Sequence, residues 1–166
     1  MGIVGADLAL KHGAIVDQLG KIIFTYENAE GMTSSLDSIY RRCQSAALAV
    51  PMDSIVVVDW DRDICSWGQK TRNAKVGTLL TLICWGFACL AMEKRKARIH
   101  FASPDAVRIC LQLPRRASKE EVHAVTKHLL PRTLRGAKFK TTADLRGDCI
   151  DAWLLAFTYD CTRKLI

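Results

Sequence analysis

The stretch Gly147 to Ala156, GDCIDAWLLA, places two carboxylates three residues apart at the head of an apolar run. On a helix, residues i and i+3 share a face, so Asp148 and Asp151 stand together. Ile150, Trp153, Leu154 and Phe157 recur at helical spacing and are expected to pack this helix, about Thr142 to Tyr159, onto a sheet. The two acids then lie at the sheet's edge, near the first turns of the helix.

Working outward, two more acids end apolar runs. IVGAD (3–7) lies in an expected strand from Ile3 to Leu10, and IVVVD (55–59) is a short apolar run suited to the buried centre of a sheet. Between them, Gly13 to Gln18 and Lys21 to Tyr26 read as strands joined at Gln18-Leu19-Gly20, completing an antiparallel meander. Ser34 to Val50 has helical periodicity, with Leu36, Ile39, Tyr40, Cys43, Ala46 and Ala47 on one face. Thr33 or Ser34 is the expected cap and Pro51 the stop.

A long apolar helix follows from about Asn73 to Met92, and Ala97 to Ala102 alternates as a strand does. Ser103-Pro104 is a helix start. Ser118-Lys119-Glu120-Glu121 is a capping box for a helix to Leu130. A basic loop, Pro131 to Lys140, leads to the last helix. The order β-β-β-α-β-α-β-α-α-α predicts an α/β fold: a mixed five-stranded sheet, three antiparallel strands then α-β alternation, flanked by helices. This order is compatible with an RNase H-like core, although order alone does not single one out. A length of 166 residues suits one domain, 1–166.

Composition narrows the class. Hydrophobic residues make up 49% and charged residues 25%, which argues against extensive disorder. A net charge of +7 is compatible with nucleic acid, an anionic membrane or plain solubility. The seven cysteines are odd in number and form no CxxC pair. Neither a zinc site nor a disulfide framework is expected; most should behave as small hydrophobes in a reducing, intracellular compartment. MGIVGADLAL has no basic leader region, and Ala6 breaks the myristoylation pattern. Val76 to Met92 is uncharged but only 17 residues long, at the short limit for a membrane span. The preferred reading is a helix buried on most sides, in a core or a dimer interface, with no membrane.

Each acid alone has an ordinary structural explanation. Asp7 could accept backbone hydrogen bonds, Asp148 could favour a helix N-terminus, and Asp59 could be solvated. Together, Asp7, Asp59, Asp148 and Asp151 form a pattern. Gathering carboxylates costs electrostatic free energy, because like charges raise each other's pKa. Divalent cations remove that cost, and Mg²⁺ prefers hard oxygen ligands. Two such ions about 4 Å apart can activate water and stabilise a leaving oxygen, hydrolysing a phosphodiester to leave a 5′ phosphate. The expected cofactor is therefore two Mg²⁺ per site, with Mn²⁺ as a substitute.

With these motifs, the chain resembles the RuvC family of Holliday-junction resolvases from Ile3 to about Thr158. IDAWLLA (150–156) after Asp148 looks like the family's ADALAIA-type motif. IVVVD is similar to the strand that ends in Glu in the family. SPDAVRICLQLPRRASKEEVHAVTKHLL (103–130) resembles the segment from a VK element to an A-x-K-x-x-V helix, with Arg108 and Lys119 at its basic positions. The resemblance implies an RNase H-like nuclease that resolves four-way DNA junctions by paired nicks, with Lys119 beside the catalytic acids. It also implies a homodimer through the 73–92 helix, its symmetry matching that of the junction.

The chain departs from the family in three places. Gly5-Ala6-Asp7-Leu8-Ala9 lacks the Pro-Gly turn of G-x-D-P-G. Asp59 replaces Glu. Arg62 stands where an aromatic wedge is expected, with Trp60 or Trp67 as substitutes or core residues.

Basic residues are expected to flank the acids as contacts to a phosphate backbone: Arg62, Lys70, Arg72, Arg108, Arg115, Arg116, Lys119, Lys138 and Lys140, with Arg132 and Arg135 in the same loop. A solvated basic surface is the alternative. The four histidines show no ligand spacing and read as surface or core residues, although His12 could lie near the cleft. Competing functions are a fork, flap or RNA–DNA hybrid nuclease, a catalytically silent DNA-binding dimer, and a membrane-associated protein.

Overall fold

A computed structural model of the chain describes residues 2–28, 35–60, 73–135 and 143–165. Three strands run as a meander: β1 (Ile3–Leu8), β2 (His12–Asp17) and β3 (Ile22–Glu27). Helix α1 (Leu36–Ala49) leads to β4 (Ile55–Asp59), and α2 (Asn73–Arg95) leads to β5 (Arg98–Ala102). The sheet order is β3-β2-β1-β4-β5; β4 is parallel to both β1 and β5, and the meander pairs are antiparallel. The expected mixed five-stranded sheet is present. Helices α3 (Pro104–Cys110), α4 (Lys119–Thr126), α5 (Arg132–Arg135), α6 (Ala143–Phe157) and α7 (Tyr159–Thr162) complete the chain.

Strand alternation sorts the residues onto two faces. Val4, Ala6, Leu8, Ile15, Val56 and Val58 face α1 and α2, meeting Ile39, Cys43, Ile83 and Phe87. Ala14, Val16 and Val57 face the other way, against Cys149, Ala152, Trp153 and Leu154 of α6. Gly5 is on this second face. A Cβ there would lie 1.7 Å from the Ala152 carbonyl oxygen, so only glycine lets α6 come so close to β1. Asp7 is two residues further along the same face, and Asp59 is two residues beyond Val57.

Several expectations need correction. Helix α1 is capped by Ser35, whose hydroxyl accepts from the Ser38 amide, not by Thr33 or Ser34, which lie outside the described residues. Leu36 and Tyr40 are exposed rather than packed. Helix α4 ends at Thr126, not Leu130, because turns replace the last helical repeat. The short helices α5 and α7 carry too few residues to show a period. Phe157 is exposed and stacks on Trp153 rather than on the sheet.

Within the single chain, helix α2 is not buried on most sides. It is long and apolar enough by composition to cross a membrane, and about a third of that apolar stretch is buried. Ile83, Cys84, Phe87, Ala88 and Ala91 enter the core, while Leu82, Trp85 and Met92 remain exposed. The apolar composition all round had hidden which side faces the sheet.

The cysteine reading holds for Cys43, Cys84 and Cys149, which are buried free thiols. Burial raises all three thiol pKa values, that of Cys43 to about 11 and that of Cys149 to about 12. It fails at Cys110 and Cys161, which form a disulfide joining α3 to α7 across 51 residues. That pairing depends on where two short helices dock, which cysteine spacing does not encode. Cys65 lies outside the described residues.

Candidate metal centre

The site is built where the sheet edge meets α6. The β1–β4 register sets Ala6 beside Val58, and one step further along both strands are Asp7 and Asp59. Helix α6, seated on Gly5, brings Asp148 and Asp151 over the same edge. Asp7, Asp148 and Asp151 each present a carboxylate oxygen, and these oxygens all lie within 4.8 Å of one another. Asp59 lines the same cleft but is outside that close group. The cleft encloses about 410 Å³ and is also lined by His12, Arg108 and Lys119.

The acids have unequal environments. Asp7 keeps some surface open to the cleft but is otherwise walled in by protein. Burial, then the charges of Asp59, Asp151 and Asp148, hold its carboxyl well above the ordinary range; Lys119 offsets part of this. Asp148 is 4% exposed, and burial raises its pKa too, while a hydrogen bond with His12 Nδ1 opposes the rise. Asp151 is held on both oxygens: Lys119 Nζ donates to Oδ2 at 2.5 Å, and His123 Nε2 lies 2.7 Å from Oδ1. Burial would lower the Lys119 pKa, but Asp151, Asp7 and Asp148 outweigh it and raise it.

Three clustered carboxylates, two of them penalised for their charge, are a donor set that fits a hard divalent cation. The sequence-predicted acids Asp7, Asp148 and Asp151 are brought together, with Asp59 and Lys119 in the same cleft. Arg108 also reaches it; its Nε donates to the Ala117 carbonyl at 2.9 Å and its Nη1 to Asp105 at 3.1 Å. Arg115 and Arg116 are exposed just before α4 and do not line the cleft. Arg135 is tied back to the Leu130 carbonyl at 2.7 Å. Arg62, Lys70, Arg72, Lys138 and Lys140 lie outside the described residues.

Sequence reasoning missed His123 and left His12 only as a neighbour. A signal for His123 existed: it is four residues after Lys119 and therefore on the same face of the helix. Trp60 is packed among Trp85 and Phe101, with ring centroids 5.8 and 5.6 Å away, as a core residue would be. Trp67 lies outside the described residues.

No protein-family model matches the chain, and no curated protein does. Solved structures match it. The Thermus thermophilus RuvC structure gives a TM-score of 0.57, at 17% identity, over 99% of this chain and 96% of that one. The fold is RuvC-like. T. thermophilus RuvC in complex with a Holliday junction substrate gives a TM-score of 0.54 with the same identity and coverage. The expected RNase H-like architecture is thus the observed one, and at this identity the likeness establishes the fold alone.

Proposed function

We propose that this protein is a divalent-metal-dependent endonuclease that cuts four-way DNA junctions. The observation that carries this reading is the convergence of Asp7, Asp148 and Asp151, from β1 and α6, within 4.8 Å at the end of a RuvC-like sheet. Support for the substrate is that a solved neighbour of the same fold is RuvC in complex with a Holliday junction substrate.

Asp7, Asp148 and Asp151 would hold Mg²⁺, with Asp59 beside them for a second ion. Bound Mg²⁺ supplies Lewis-acid stabilisation and a more acidic water. Lys119 places positive charge where negative charge develops on the phosphate. Arg108 at the cleft wall orients the backbone, and Arg115 and Arg116 extend the positive surface outward. Paired nicks at a symmetric junction need two such sites. Helix α2 offers the means: Thr78, Leu82, Trp85, Cys89 and Met92 are exposed at alternating steps of four and three, the repeat of a helix–helix seam. A homodimer through this seam covers apolar surface that otherwise faces water.

The test uses labelled four-way junctions, forks, flaps, RNA–DNA hybrids and linear duplex, with Mg²⁺, Mn²⁺ or EDTA, beside Asp7→Asn. Symmetric, metal-dependent nicking of the junction alone, lost in a variant that still binds, is the expected result. Preferential cutting of forks or hybrids would move the substrate within the same nuclease class. Junction binding without cutting under any metal would leave a DNA-binding dimer and overturn the nuclease.

A further inference from the structure

One face of α4 closes on Asp151 from two directions. Lys119 and His123 are four residues apart and project from the same side of the helix. Lys119 takes Oδ2 at 2.5 Å and His123 takes Oδ1 at 2.7 Å. Both oxygens of one carboxylate are therefore engaged by donors from a single helical turn. The capping box, Ser118 with Glu121, fixes where that turn begins. On α6, Gly147 packs against the pair: a Cβ there would lie 3.4 Å from Lys119 Nζ and 3.9 Å from His123 Cε1, ordinary contact distances.

The two donors are not equivalent. The Lys119 side chain is 52% exposed on a flexible four-carbon stem, whereas that of His123 is 24% exposed with a short, stiff ring. The ammonium also stands among the clustered carboxylates, and its charge acts on Asp151, Asp7 and Asp148 together. Lys119 thus supplies part of the positive charge that a divalent cation would supply.

We propose that α4 is an exchange clamp for the metal centre: Lys119 occupies Oδ2 of Asp151 in the metal-free protein and yields it to the divalent cation, while His123 keeps Oδ1 and holds the carboxylate's orientation. His123 is then a positioning residue that acts through Asp151. The released Lys119 ammonium stays at the cleft mouth, placed for a phosphate oxygen. This inference rests on the metal-centre reading above and assigns opposite roles to two residues on one turn.

The experiment measures Mn²⁺ binding to the full chain without DNA, by calorimetry and by the spectroscopic signal of free Mn²⁺. His123→Ala should weaken binding by roughly ten- to a hundredfold, as loss of a hydrogen-bond partner behind a ligand does. His123→Gln, which restores a donor, should recover most of that loss. Lys119→Met should tighten binding several-fold, because no ammonium competes for Oδ2. Thermal unfolding of each variant checks that it is folded. If both substitutions change affinity in the same direction, or neither changes it while the wild type binds, the clamp is overturned and the metal centre stands. If the wild type takes up no Mn²⁺, the metal-centre reading falls and the clamp falls with it.

Discussion

Asp7 bears a penalty that Lys119 offsets only in part. Burial and three nearby carboxylates raise its pKa above the unfolded value, so the charged form opposes folding. The sign follows by linkage. Any stability tied to the protonated form is present below about pH 4, the unfolded range, and is lost as pH rises through the folded pKa. Asp7→Asn removes the penalty. Without divalent metal at pH 7, it should stabilise the fold and raise the Tm, because the buried carboxyl no longer has to ionise among three others. The gain should shrink toward pH 4 and also when Mg²⁺ is added to both proteins. Scanning calorimetry of the two proteins in EDTA and in Mg²⁺ checks this; a variant less stable in EDTA would contradict the raised pKa.

At the scale of elements, the contact of β1 with α6 places the acids. The Ala152 carbonyl oxygen would lie 1.7 Å from a Cβ at residue 5, so Gly5→Ala must push strand and helix apart. Overpacking of a core typically costs about 1–3 kcal/mol, and backbone against backbone is at the upper end or beyond. The expected result is a Tm lowered by roughly 6–12 °C or a chain that fails to fold. Gly86→Ala is the control: among the described residues its Cβ would meet Cys43 Sγ at 3.6 Å and nothing nearer, and its helix should gain up to about 1 kcal/mol. Equal melting of the two variants would show that α6 does not sit on Gly5. The strands were legible because alternation and β-branched runs mark them directly, IVVVD (55–59) matching β4 end to end. Short helices such as α5 and α7 were not, since four residues make barely one turn.

For the whole molecule, the exposed stripe on α2 carries the prediction. Leu82 is 45% exposed and Met92 55%, and both lie outside the core contacts of the helix. Leu82→Glu should convert a dimer to a monomer in light scattering with little change in Tm, because the side chain faces away from the sheet. A wild type that is already monomeric at assay concentrations would remove the seam from the account. The disulfide between Cys110 and Cys161 works at the same scale, closing a long loop between α3, which carries Arg108, and the C-terminal α7.

The sequence by itself carried the order of the main elements, the apolar runs that build the sheet and the acids that stand at the ends of those runs. These are local properties: strand period, helical period, caps, and charges that stand out at the ends of apolar runs. Only the tertiary structure decided which acids come within reach of one another and that Asp59 stands apart from the close group. It alone paired His12 with Asp148, set Lys119 and His123 on either oxygen of Asp151, and joined Cys110 to Cys161. Those outcomes depend on how far one helix sinks onto one strand. That depth follows from a missing side chain at Gly5 and a carbonyl 147 residues further along the chain, a distance in sequence over which no periodic pattern carries information.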